Sequence, residues 1–293
     1  MNRLRAISDR GAGLPGAGTP THRKSDCIGL ITLILLLAVT LFVSCENTTN
    51  SQTPGTDPAV PIDIGEVWFF FGDSETLGRA DDEPTAISQA VAFENIWDGS
   101  FGSPYTSVIV GEGGGITLKE SYENYLATAG TDDATWINIQ ESGRHGQSGR
   151  GQEDPQDFGD TFEQFVRHID ANAPGAVITY ETAFSFEPHI AERNWTAFNA
   201  ELRQRVELLA AEGIVVHLAE VALHIEELIA QLDRYDVIQD DDGHYTGLGN
   251  LMVALSIYRA LGYDVTALDL SGIADDDVSP QHKAAAQAVA AGQ

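Results

Sequence analysis

The sequence contains little cysteine and few basic residues. Only two cysteines occur among 293 residues, Cys27 and Cys45, so the rest of the chain holds neither a disulfide framework nor a cysteine-based zinc site. Lys and Arg number 16 against 44 Asp and Glu, which gives a formal net charge of −28. A chain this anionic repels phosphate backbones, so the charge argues against a nucleic-acid partner.

Long hydrophobic runs are missing as well, apart from one near the N-terminus. Residues 27–43 are uncharged and mostly apolar, and they follow a segment rich in arginine. Such an order is typical of a secretory signal, and the run is short for a membrane span, which needs about 20 residues. It ends in Ser44-Cys45, which resembles a bacterial lipobox, with Phe42 in place of the usual leucine. The alternative is an uncleaved signal anchor.

The lipobox resemblance implies that residues 1–44 are a signal peptide and that Cys45 carries a lipid. Residues 45–63 are polar, contain three prolines and predict a flexible tether. The expected location is the bacterial cell envelope, with membrane attachment through Cys45. Glu46 is not the aspartate that favours inner-membrane retention in some bacteria, which points to the outer membrane. The main domain is expected over 64–265, and 266–293 is predicted to be an acidic, alanine-rich C-terminal tail.

From residue 66 onward, short apolar runs alternate with segments of helical spacing. Runs of this length without strict alternation are typical of strands that are covered on both faces. The pattern predicts an α/β fold, a three-layer α/β/α sandwich with a five-stranded parallel sheet. The predicted strands are 67–73, 106–112, 135–141, 176–182 and 213–221. The predicted helices lie near 117–127, 157–172, 192–212, 222–233 and 248–261, and the Gly/Asp-rich stretch 75–105 is predicted to be a loop or insertion.

Ligands of a parallel sheet bind beyond the carboxyl ends of its strands. The first predicted strand is followed by Asp73-Ser74, and a serine at such a turn offers a hydroxyl nucleophile and a backbone N–H for an oxyanion. It could equally be a helix cap. Near the other end, Asp241 precedes His244 by three residues, so its carboxylate could orient the imidazole as a general base. An acidic turn with an incidental histidine is the alternative.

Together these segments, FFFGDSETLGRA and DDDGHYTGLGNLMVA, resemble the first and last motif blocks of the SGNH (GDSL-type) esterase and lipase family. The resemblance covers about 66–262 and implies a flavodoxin-like fold and no cofactor. It also implies that Ser74 is the nucleophile, His244 the base and Asp241 the third member of a triad. Asp242 is an alternative to Asp241, but the spacing in the family favours Asp241.

The middle blocks of the family define the oxyanion hole. Gly115 resembles the family glycine that donates its backbone N–H, or it simply permits a tight turn. The asparagine of the third block is absent, and two alignments compete. In the preferred one, Gln140-Glu141-Ser142 resembles a block of sialate O-acetylesterase-like carbohydrate esterases; in the other, His145 takes the asparagine position. Gly78-Arg79 in the opening block also resembles those esterases. The predicted oxyanion hole is Ser74, Gly115, Gln140 and Ser142.

Further polar residues end or follow the fourth predicted strand. Glu181, Thr182 and His189 are candidates for substrate contact, with ordinary loop residues as the alternative. His217 lies inside the fifth strand and is expected to be structural. The histidines show no metal-ligand spacing, so no metal site is expected.

The expected function is that of a serine esterase that removes acyl groups, acetyl in particular, from a carbohydrate or a small ester. One alternative is a lipase or lysophospholipase of the same fold. That activity would need an apolar lid, for which 75–105 offers only Phe93, Trp97, Phe101 and Tyr105. The other alternative is a non-catalytic, glycan-binding surface lipoprotein.

Overall fold

A computed structural model describes residues 60–72, 76, 87–111, 117–140, 154–184, 195–239 and 244–293. These residues form a five-stranded sheet of order β2-β1-β3-β4-β5 in which every pairing is parallel. The strands are β1 Val67–Gly72, β2 Thr106–Gly111, β3 Trp136–Ile139, β4 Val177–Glu181 and β5 Val216–Ala219. The predicted parallel sheet is therefore confirmed, and each strand falls within the run that predicted it.

Helices connect and cover the strands. They are α1 Gln89–Ser100, α2 Leu118–Ala127, α3 Pro155–Asn172, α4 Trp195–Ala211, α5 Val221–Gln231, α6 Arg234–Val237, α7 Gly247–Ala260 and α8 Pro280–Ala291. Local sequence explains where several begin. The Asp154 side chain caps α3 ahead of a proline in its first turn, and Thr117 with Glu120 forms a capping box on α2. The five predicted helices are all present.

The alternation of side chains along β1 separates two cores. Trp68 and Phe70 face one side with Trp136, where they pack among α1, α5, α7 and α8. Phe69 and Phe71 face the other side, where α2, α3 and α4 cover them. Since successive residues of a strand point to opposite faces, five consecutive buried residues in β1 require helices on both faces. The sheet is the middle layer of the predicted α/β/α sandwich.

The prediction of a loop or insertion over 75–105 is wrong for the part that forms α1. Ser88 caps this helix by accepting a hydrogen bond from the backbone N–H of Val91. Its buried residues Ala90, Phe93 and Trp97 recur every three or four positions, which is the period of a helix. The glycines and acidic residues around this short segment made its helical period difficult to recognise in the sequence.

Residues 266–293 belong to the same core as the sheet and are not a separate tail. Leu268, Leu270 and Ile273 are buried in the first of the two cores, and α8 adds Ala286 and Val289. The helix α8 packs on α7 and α5. Its alanines allow this close approach, because small side chains let helix backbones come together. Among the described residues, no helix combines the length and apolar character that a membrane span needs.

Candidate active site

The structure describes only part of the predicted site. Gln140 and His244 lie within the described residues, as do Glu181, Thr182 and His217. Outside them lie the following predicted residues: Cys45, Ser74, Gly115, Ser142, His145, His189, Asp241 and Asp242. The site is therefore built from the elements that flank these positions, at the carboxyl ends of β1, β3 and β4.

Gln140 lies directly after β3 and beside the turn that follows β1. Its backbone N–H donates to the carbonyl of Phe71 at 2.8 Å, which continues the β1–β3 pairing by one residue. Its side chain is buried, and its Oε1 accepts a hydrogen bond from the hydroxyl of Thr76. Thr76 is two residues beyond Ser74, so the structure brings the side-chain amide of Gln140 to the segment that contains the predicted nucleophile.

Gly72, the last residue of β1, is the glycine of the Gly-Asp-Ser motif. A Cβ at this position would lie 2.5 Å from Gln140 Oε1 and 2.9 Å from the Cβ of Thr76, with the Thr76 hydroxyl closer still. Real Cβ atoms do not approach other atoms this closely, so only glycine lets Thr76 and Gln140 meet across the end of β1. This contact is a physical reason for the glycine that precedes Asp73-Ser74.

A buried polar network extends from Thr76 into the sheet. Gln89, the first residue of α1, donates from Nε2 to Thr76 Oγ1 at 2.9 Å and to Glu181 Oε1 at 3.1 Å. Asn138 in β3 donates from Nδ2 to the same carboxylate oxygen at 2.6 Å. Sequence reasoning missed Thr76, Gln89 and Asn138. The sequence signal for this network is that polar residues occupy alternate positions of β3 and β4. They share one face of these strands, and the opposite face is apolar.

His244 is positioned by a short antiparallel bridge ahead of α7. Gln239 donates its N–H to the carbonyl of His244 at 2.8 Å, and Ile238 pairs with Tyr245. The next residue, Thr246, donates its N–H to Val237 and its side chain caps α7 by accepting from the N–H of Gly249. The bridge therefore pairs the residues on either side of 240–243, the segment of the sequence that contains Asp241.

One hydrogen bond joins the first turn of α7 to the residues just ahead of α1. Asn250, in the first turn of α7, donates from Nδ2 to the carbonyl of Ile87 at 3.0 Å. Ile87 is two residues before Gln89, which binds Thr76. The segment that follows Ser74 and the helix that follows His244 are therefore joined, although 163 positions separate Asn250 from Ile87. The fold brings the two motif segments into one region.

We expect Gly249→Ala to destabilise the fold and lower any activity that depends on His244. The new Cβ would lie 2.8 Å from the Cβ of Tyr245 and closer still to the carbonyl of Val237. Such overpacking typically costs about 1–3 kcal/mol, which exceeds the gain of about 1 kcal/mol in helix propensity. Chemical denaturation measures the loss. In the matched control Gly247→Ala, the nearest contact is 3.0 Å, so the effect should be smaller. Equal stability of the two variants would contradict this account.

Thr182 is buried and serves to join β4 to β5. Its N–H and hydroxyl both donate to the carbonyl of Ala219, at 2.9 and 3.2 Å, and its hydroxyl accepts from the N–H of Ala222. These bonds place it in the framework of the sheet and not at a surface for substrate. His217 lies in β5, where burial lowers its pKa. Within the described ranges, no group of three His, Cys, Asp or Glu could hold a metal ion.

Comparisons with known proteins give matches in structure only. No family model matches the sequence, and no curated protein matches it. A lipase/acylhydrolase from Enterococcus faecalis superposes with a TM-score of 0.51 at 15% identity, over 70% of this chain and 98% of its own. A protein described as a GDSL-like lipase, from Parabacteroides merdae, gives 0.58 at 12% identity, over 69% and 99%.

An acetylxylan esterase from Geobacillus stearothermophilus gives a TM-score of 0.56 at 16% identity, over 70% of this chain and 97% of its own. At such low identity the likeness is one of fold, and it agrees with the strand order and layers described above. The chain has the α/β fold of the SGNH (GDSL-type) hydrolases.

Proposed function

We propose that this chain is a serine carboxylic ester hydrolase with a triad of Ser74, His244 and Asp241. The observation that supports this most directly is the link between the two motif segments. Thr76 and Gln89 tie the Ser74 segment to the end of the sheet, and Asn250 ties the same region to the helix that follows His244. A serine and a histidine far apart in sequence must meet for this chemistry, and a hydrogen-bonded link between the segments that flank them supports the proposal.

In the proposed reaction the Ser74 hydroxyl attacks the ester carbonyl carbon while His244 accepts the hydroxyl proton. The Asp241 carboxylate orients the imidazole and stabilises its protonated form. The negative oxygen of the tetrahedral intermediate is held by N–H donors of Ser74, Gly115 and the Gln140–Ser142 segment. The intermediate collapses when His244 returns the proton to the leaving alcohol. Water then releases the acid from the acyl-enzyme by the same steps, and Ser74 is regenerated.

The acyl group we propose is short, acetyl in particular, on a carbohydrate or small ester. The similarity of Gln140-Glu141-Ser142 to carbohydrate esterases supports this choice, and so does the solved acetylxylan esterase of the same fold. A lipase is less well supported. Phe93 and Trp97 are fully or almost fully buried, and Tyr105 stacks on Trp68 with ring centres 4.1 Å apart. Phe101 is 41% exposed, and one exposed phenylalanine does not make the apolar lid that a lipase needs.

A chain-length series of p-nitrophenyl esters, run beside acetylated sugars, tests the proposal. We expect hydrolysis of the acetate and a steep fall in kcat/KM with longer chains. A rate that rises with chain length would favour a lipase. A fluorophosphonate probe separates both enzymes from a glycan-binding protein without activity, because only a functional nucleophile is labelled, and labelling should disappear in Ser74→Ala.

We also propose lipid attachment at Cys45, in the bacterial cell envelope. The basic and apolar order of residues before Ser44-Cys45 supports it, together with the polar segment that follows. We expect Cys45→Ala to move the protein from the detergent phase to the aqueous phase in a two-phase extraction of bacterial cells. Cys27→Ala is the matched control and should leave the partition unchanged. Retention of Cys45→Ala in the detergent phase would favour an uncleaved signal anchor.

A further inference from the structure

Glu181 is a buried acid at the carboxyl end of β4, and its side chain faces the first core beside Gln89 and Asn138. Only 4% of its surface is exposed. Its Oε1 accepts hydrogen bonds from the side-chain amides of Asn138, at 2.6 Å, and Gln89, at 3.1 Å. A carboxylate offers lone pairs and no hydrogen, so both amides must turn their NH2 groups toward it. Glu181 therefore determines which way each amide points.

The orientation of Gln89 leaves one of its own atoms unsatisfied. One hydrogen of its NH2 group goes to Glu181 and the other to Thr76 Oγ1, at 2.9 Å. Its Oε1 is buried, and no hydrogen-bond partner for it occurs among the described residues. A buried acceptor without a partner is costly, so some other group must favour this orientation. Glu181 is that group, because the flipped amide would point its oxygen at Glu181 Oε1, which already accepts from Asn138.

The donor-to-acceptor direction of these hydrogen bonds continues from Thr76 to Gln140. The Thr76 hydroxyl accepts from Gln89, so its hydrogen is available for Gln140, and Gln140 Oε1 accepts it. Because the oxygen of the Gln140 amide is engaged at Thr76, its NH2 group points away from Thr76. This orientation turns the N–H hydrogens of Gln140, and not its oxygen, away from Thr76, and N–H groups are what an oxyanion requires.

We propose that Glu181 is a positioning residue that orients Gln140 as an oxyanion donor, through Gln89 and Thr76. This inference rests on the proposed esterase function and adds a reason for a buried acid two strands away from the predicted nucleophile. Substitution of Glu181 by an isosteric neutral group would remove the preference of Gln89 for one amide orientation. The Thr76 hydrogen could then point elsewhere, and Gln140 could turn its oxygen toward the site.

Glu181→Gln tests the proposal in steady-state kinetics with p-nitrophenyl acetate. Loss of one oxyanion donor typically lowers kcat by about 10²–10³-fold, so partial loss of its orientation should lower kcat by about 10–10²-fold, with KM little changed. Gln140→Ala should lower kcat at least as much. The double variant should be no slower than Gln140→Ala, because both changes act on one donor.

Thr179→Val is the matched control. Thr179 lies two residues before Glu181 on the same face of β4, accepts from Trp136 Nε1 at 3.0 Å and donates to Asn138 Oδ1 at 2.6 Å. Its loss removes buried hydrogen bonds of the same network but leaves the path from Glu181 to Gln140 intact. We expect lower stability with kcat within about twofold of the wild type, as for a change remote from the reacting atoms. An equal kcat loss in Thr179→Val and Glu181→Gln would overturn the proposal in favour of a purely structural role.

If Glu181→Gln does not fold, Gln89→Met breaks the path one bond further along and keeps the pair of Glu181 and Asn138. It should show the same loss of kcat, and unchanged kcat would overturn the proposal.

A second measurement does not need turnover. In 15N–1H spectra, the side-chain amide resonances of Gln89 and Gln140 should both shift in Glu181→Gln but little in Thr179→Val. If the wild type hydrolyses no ester and takes up no fluorophosphonate, the proposed function fails. The spectra then still decide whether Glu181 orients Gln140, and an unmoved Gln140 resonance would refute it.

Discussion

Ser74→Ala and His244→Ala are each expected to abolish ester hydrolysis. Removal of the nucleophile or the base of a serine triad typically lowers kcat on the order of 10⁶-fold. The double variant should be no slower than either single one, because the two side chains act as one unit and the residual rate comes from binding and the oxyanion hole. Initial rates with p-nitrophenyl acetate, corrected for spontaneous hydrolysis, measure all three.

Asp241→Asn should cost less, about 10⁴-fold, because this residue orients the imidazole and does not exchange a proton with substrate. If Asp242 is the third member instead, Asp242→Asn should show the larger loss of the two.

His282→Ala is the control for the histidine variant. The His282 imidazole lies 3.8 Å from the carboxylate of Asp236, whose carbonyl accepts from the hydroxyl of Thr246. It is therefore near the bridge that positions His244, but it has no predicted role in the triad, and its activity should stay near that of the wild type. Full activity in Ser74→Ala would refute the whole assignment.

The sheet could be predicted from sequence because each strand corresponds to a short apolar run within its own residues. Buried parallel strands are typically rich in apolar side chains, and β1 to β5 each lie in a short, mainly apolar run. The same pattern directs attention to the residues at the strand ends, because the carboxyl edge of a parallel sheet is where ligands bind, and the roles given to those residues stay predictions. The resulting fold is similar to that of a solved GDSL-like lipase.

The contacts between distant segments could not be predicted in this way. Gln89 lies in the stretch predicted to be a loop, and only the fold shows that it lies between Thr76 and Glu181. Residues 266–293 looked like a tail because the alanines of α8 carry little hydrophobic signal, although they pack closely on α7. Whether a polar or small residue is structural depends on neighbours far away in sequence, which no local window contains.

The oxyanion hole is where the two alignments of the third motif block make different predictions. Gln140→Ala should lower kcat by about 10²–10³-fold and leave KM little changed, because a donor to the oxyanion acts mainly in the transition state. The position of Gln140 favours this outcome. Its amide lies at the end of β3, and its oxygen is bound to Thr76, two residues from Ser74. Ser142→Ala tests the other residue of the same block.

His145→Ala distinguishes the rival alignment under the same conditions. A kcat loss confined to His145→Ala would show that this histidine occupies the position of the family asparagine. No loss in any of the three variants would leave Gly115 and the Ser74 backbone N–H as the donors.

The leaving group of the substrate adds a further test of the oxyanion donor. Loss of a donor should slow an alkyl acetate or an acetylated sugar more than p-nitrophenyl acetate, because the poorer leaving group makes the later, more charged transition state limiting. A loss of equal size for both substrates would place Gln140 in the framework of the site instead of the oxyanion hole.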